Sequence, residues 1–207
     1  MTAPEPSPRR LTGGRMKLLL ILAGAALSGL VMLAWTQPWF TVTLTDAAEL
    51  SITGEVAAAG LSALALAGLV LVVAISIAGP FFRFVLGALQ ALLGVAVVFS
   101  ALVALGDPIA ASAPSISEAT SIAGDGPVRA LVASVGISPW PIVALVVGVL
   151  LVVNAVLVLV TARLWPGSSR KYQAVRLEPA TSERTSVDDW DSLTGGGDPT
   201  TDDPPRP

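Results

Sequence analysis

The sequence predicts an all-α membrane protein: four transmembrane helices in a bundle, with a small extracytoplasmic β-hairpin between helices 1 and 2. Three observations predict it. Of 207 residues, 53% are hydrophobic and 13% are charged, about half the charge of an ordinary soluble domain. Too few polar residues remain to coat a globule, so lipid has to be the solvent. The charges gather between four long runs that carry none. A strict alternation of apolar and hydroxyl residues follows the first run.

The first uncharged run covers 18–45, apolar as far as Trp35. At about 1.5 Å per residue, roughly 20 residues match a hydrocarbon core of about 30 Å, which makes this the first span. In Phe40-Thr41-Val42-Thr43-Leu44-Thr45, and again in Leu50-Ser51-Ile52-Thr53, apolar and hydroxyl residues alternate. Period two with β-branched residues predicts a hairpin, one face on the helix ends and the other wet. The second run (56–82) and the third (84–106) are separated by Arg83 alone. Gly79 and Pro80 end the second helix, because proline lacks the amide donor and restricts the residue before it. The loop 107–136 is read as irregular and mobile, with a short helix at Ser115–Ala119 as its one candidate element. In the fourth run, 130–162, Gly136, Pro139 and Pro141 put the helix start near Pro139. Residues 1–16 are a basic N-terminal segment. A membrane domain at 17–165 has spans at about 17–36, 56–79, 84–106 and 139–163, and 166–207 is an acidic tail too polar to bury a core, hence disordered.

Sign segregation orients the chain. Arg9, Arg10, Arg15 and Lys17 precede span one, Arg83 joins spans two and three, and Arg163, Arg170, Lys171 and Arg176 follow span four. The other two loops carry six carboxylates against Arg129. Short basic flanks stay in the cytoplasm, so both termini are expected there, in a plasma (inner) membrane. Trp35, Trp39 and Trp140 on one side and Trp165 on the other are expected as interface aromatics. A cleaved signal at 16–34 is the rival for span one; its apolar stretch is long for that role and no small-x-small site precedes Trp35.

The chain has no His and no Cys, which removes imidazole and thiolate chemistry, disulfides and haem ligation. No ionisable residue lies mid-span, against a self-contained proton-coupled pump. No catalytic, cofactor-binding or metal-ligating residue emerges, no cofactor is implied, and the chain is not expected to be an enzyme or to bind nucleic acid. Gln90 shares a helix face with Gly87 and Gly94, and Asn154 is the amide of span four; each is read as helix-packing glue or as a ligand contact. In the tail, Trp190 and Leu193 stand among acids as a candidate motif that orders on a cytoplasmic protein partner. The bilayer is the other partner, and a homo-oligomer stays open.

Taken together, Trp35-Thr36-Gln37-Pro38-Trp39-Phe40, Ile52-Thr53-Gly54, Ser138-Pro139-Trp140-Pro141, Arg163-Leu164-Trp165-Pro166 and Asp189-Trp190-Asp191-Ser192-Leu193, followed by Asp198-Pro199-Thr200, resemble the actinobacterial tryptophan-associated transmembrane family. The resemblance implies a four-span inner-membrane protein whose gene lies among tryptophan biosynthesis genes, and it brings no active-site residues with it. Two functions follow as expectations: a non-enzymatic accessory protein associated with tryptophan biosynthesis or, alternatively, a transporter or transporter subunit for tryptophan or a related aromatic metabolite. The layout also resembles claudin-like four-helix proteins, without their cysteine pair.

Overall fold

The computed structural model describes residues 9–162. Its elements are α1 (Arg9–Thr36), β1 (Pro38–Leu44), β2 (Glu49–Thr53), α2 (Gly54–Ala57), α3 (Leu61–Ile77), α4 (Pro80–Gly106), α5 (Pro108–Thr120), α6 (Asp125–Leu131), β3 (Val132–Ile137) and α7 (Trp140–Thr161). The N-terminal residues 1–8, Trp165 and the tail with Trp190 and Leu193 lie outside the described residues.

Helices α1, α4 and α7 are long and apolar enough to cross a membrane; α3, at 17 residues, is apolar but shorter. Many large apolar side chains face outward, among them Val70, Val73, Ile77, Phe81, Phe99 and Val160, while Gly24, Ser28, Gly68, Gly87, Gln90, Gly94 and Asn154 share the interior with Val31, Val72, Ile75, Val97, Leu151 and Val158. Lipid solvates the outer surface, so cohesion comes from close backbone approach.

Helices α3 and α4 meet in a tight turn. Ala78 and Gly79 are extended and Pro80 opens α4, as expected where a proline restricts its predecessor and fits the first helical turn. Lys17 Nζ donates to the Ser76 carbonyl at 2.7 Å, and Arg83 Nη1 donates to the Ala162 carbonyl at 3.5 Å. The start of α1, the end of α3, the start of α4 and the end of α7 therefore lie at one end of the bundle.

A sheet caps the opposite end. The alternation in β1 folds as expected: Phe40, Val42 and Leu44 turn inward, and Thr41 points out. Its pairing goes further than a hairpin, since the strand order is β2-β1-β3, both pairs antiparallel, with Thr41 opposite Ser51 on one side and Gly136 on the other. The expected hairpin is therefore two strands of a three-stranded sheet, and the loop 107–136 is not irregular. Asp107 N-caps α5, its carboxylate accepting from the Ala110 amide at 3.1 Å. The expected short helix at Ser115–Ala119 lies within α5. Left-handed Ser121 and Gly124 at φ +102° turn the chain into α6, which leads directly into β3. Ile116 of α5 and Val128 of α6 are buried in the same apolar core as Trp39, Phe40 and Ile52. That core runs on into the bundle through Val31, Leu61 and Ala101, so cap and helices share one interior.

The helix expected as the second span also starts later than expected. Residues 54–57 form the short helix α2, and α3 begins only at Leu61.

Candidate functional site

The inward face of α4 places the site. Gly87, Gln90 and Gly94 recur at spacings of three and four, hence on one face, and all three are buried. A Cβ added at Gly94 would stand 2.9 Å from the Val152 amide nitrogen and 3.1 Å from the Gly148 carbonyl; one at Gly148 would stand 3.0 Å from the Val98 amide nitrogen. The α4 and α7 backbones are thus in direct contact. Between the glycines of α4, this contact brings Gln90 into the bundle centre beside Asn154 of α7.

Gly24 of α1 closes over both amides. A Cβ there would lie 3.1 Å from Gln90 Nε2, 3.1 Å from Asn154 Nδ2 and 2.9 Å from Val72 Cγ2 on α3. Four helices converge on this point. Gln90 is 2% exposed and Asn154 5%. Neither Gln90 amide atom, nor Asn154 Nδ2, has a hydrogen-bond partner within the protein. The sequence leads one to expect an amide bonded across the helices; the structure brings both amide nitrogens close to the same glycine without that bond. Ser28, one turn further along α1, behaves differently. Its hydroxyl donates back to the Gly24 carbonyl at 2.9 Å, and Gly68 of α3 packs onto it, with 2.6 Å between Ser28 Oγ and an added Cβ.

A narrow crevice reaches this junction, lined by Leu20, Ile21, Val72, Ile75, Gln90 and Val158. It is pinched too tightly to hold a water molecule. Gln90 is its one polar side chain.

The tryptophans divide. The Trp39 ring is fully enclosed within the protein, and its indole Nε1 donates to the Ala34 carbonyl at 2.8 Å. The cause is an irregular register between Pro38 and Phe40, which lets Trp39 and Phe40 both turn inward where strict alternation would send one out. Trp35 and Trp140 are half-buried near the sheet. Among the described residues no group of three Asp or Glu is arranged to hold a metal. The described ion pair joins Arg129 of α6 to Asp107. That guanidinium, then the Ala110 amide, holds the Asp107 carboxyl below the usual carboxylate range.

Two features escaped the sequence. One is Gly24 as the fourth wall of the amide junction, foreshadowed only by its spacing from Ser28. The other is Arg83, which reads as a turn residue yet is 2% exposed. Its position between two apolar runs was the available signal.

The family described as tryptophan-associated transmembrane protein matches residues 18–200. The chain belongs to that family. The match takes in every helix that lines the amide junction, together with the whole sheet cap. No curated protein and no solved structure matches this tryptophan-associated transmembrane protein.

Proposed function

We infer that this tryptophan-associated transmembrane protein is a non-enzymatic accessory protein of tryptophan biosynthesis, held in the plasma membrane by four spans with both termini in the cytoplasm. One observation favours it over a conduit. At mid-bundle Val72, Gln90 and Asn154 all close on Gly24, and the crevice beside them has no width for water. A transporter for an aromatic metabolite needs a passage with polar footholds along its length. The orientation rests on Lys17 and Arg83, which sit at the same bundle end and belong on the cytoplasmic side. The tail sequence carries Trp190 and Leu193 among carboxylates, a composition suited to ordering on a partner.

Tryptophan measured inside and outside deletion and complemented cells tests this reading, with Trp190→Ala alongside. Altered pathway output with normal flux, reproduced by Trp190→Ala, is expected. A flux defect that Trp190→Ala does not reproduce would replace recruitment with transport.

A further inference from the structure

The unbonded amides at the bundle centre are the least economical feature of the molecule. A buried donor or acceptor left unpaired costs about 1–3 kcal/mol, and no water relieves these, because the crevice that reaches Gln90 is too narrow for one. Three such atoms converge here: Gln90 Oε1, Gln90 Nε2 and Asn154 Nδ2. In lipid the cost is not offset by solvent leaking in from the outer surface. An apolar side chain at 90 would pack against Gly24 without it.

We propose that the Gln90–Asn154 junction is a binding site for a small, neutral, flat and mostly apolar molecule that carries an N–H or O–H group. The narrowness of the crevice calls for a flat molecule, and the chemistry of its walls sets the other attributes. Five of the six residues lining the crevice are aliphatic, so the body of the ligand is apolar. None is ionisable, so nothing compensates a charge, which is expensive at this depth; a free amino acid in its zwitterionic form is therefore excluded. The crevice wall includes the Gln90 amide, which offers both an acceptor and a donor, and a second donor, Asn154 Nδ2, lies close to the same Gly24. A ligand N–H or O–H given to Gln90 Oε1 completes the set.

The geometry also says which walls give way. Contact between α4 and α7 is backbone to backbone at Gly94 and Gly148, so the helices that bear the amides are fixed relative to each other. The crevice walls from α1 and α3 are side chains, Leu20 and Ile21 facing Val72 and Ile75. Rotamer changes in these four open the slot without breaking any hydrogen bond described here. Gly24 matters because any side chain there would occupy the space in front of both amides. The site holds whichever protein the tail recruits and whichever way the chain faces.

Indole is the probe, being neutral, flat and apolar with one N–H; 1-methylindole has the same body without the donor. Both are titrated against the full chain in lipid nanodiscs, with Gln90→Leu and Asn154→Leu chains measuring partition into lipid. The expected result is saturable indole binding that falls about tenfold in the Gln90→Leu chain and about tenfold for 1-methylindole on the unaltered chain, the worth of one hydrogen bond. Indole retained equally by all chains is lipid partition and overturns the site, as does no saturable binding. Thermal unfolding without probe guards against a misfolded variant. Gln90→Leu is expected to raise the unfolding temperature, since it removes an unpaired amide; a lowered temperature would mean that Gln90 bonds to Asn154, leaving nothing for a ligand. Neither outcome bears on the recruiting role of Trp190, which is read from pathway output.

Discussion

Gly54 shows how much a single missing side chain can decide. A Cβ there would stand 2.6 Å from the Trp35 carbonyl oxygen and 2.8 Å from Trp39 Nε1. Backbone cannot retreat as a flexible side chain does, so Gly54→Ala forces the indole off the Ala34 carbonyl or lifts β2 from the end of α1. Overpacking of this kind costs about 1–3 kcal/mol, and the loss should appear as a lower unfolding temperature with a red-shifted tryptophan emission. Trp39→Phe removes the donor at 2.8 Å and keeps most of the apolar volume. It is expected to cost about 1 kcal/mol, measured by the same unfolding, with the sheet retained by circular dichroism. At this scale legibility was uneven. The shared face of Gly87, Gln90 and Gly94 follows from helical periodicity alone. That Gly24 covers the amides, or that Trp39 turns inward, depends on a helix crossing and a strand irregularity, and neither has a local residue pattern.

The elements at the sheet end depend on pairings across long stretches of chain. Residues 40–45 and 50–53 announce β1 and β2 because their alternation is local and one turn joins them. β3 does not announce itself: Val132-Ala133-Ser134-Val135-Gly136-Ile137 has neither strict alternation nor a neighbouring partner, and it pairs with β1 across most of the membrane domain, Val135 facing Val42. Helix α5 was hidden by Pro114, which a sequence reading treats as a breaker, although the structure carries it inside the helix. The ion pair between Asp107 and Arg129 ties the start of α5 to α6, and its pH dependence has a definite sign. The folded carboxyl lies below its ordinary value, chiefly through Arg129. Its contribution is therefore complete above the unfolded value of about 3.9 and disappears as pH falls through the folded one. Amide exchange at Ala110, whose N–H bonds to the Asp107 carboxylate, should accelerate over that acid window beyond the intrinsic chemistry. In Asp107→Ala the amide should already exchange fast at neutral pH, with no further step. Because both partners are exposed, added salt should blunt the effect.

At the scale of the whole molecule, the number of crossings turns on α3. Its 17 residues extend roughly 26 Å at about 1.5 Å per residue, a little short of a hydrocarbon core of about 30 Å. A shortfall of this size is met by local thinning or by flanking residues at small cost, and α2 with 58–60 supplies such a flank. The packing argues the same way. One end of α3 receives the Lys17 ammonium near the start of α1, and its other end follows Gly54, seated on Trp35 at the end of α1. α3 therefore runs back alongside α1. The chain contains no cysteine, so single cysteines can report this directly. Gly14, Gly79 and Gly126 have open space where a side chain would go, and Thr45 is exposed in the β1–β2 turn. With a membrane-impermeant maleimide on intact cells, Thr45→Cys and Gly126→Cys should label, and Gly14→Cys and Gly79→Cys only after lysis. If Gly79→Cys labels together with Thr45→Cys, α3 does not cross and the termini lie on opposite sides. If the two sets exchange places, the basic end faces outward, and a tail partner in the cytoplasm becomes impossible.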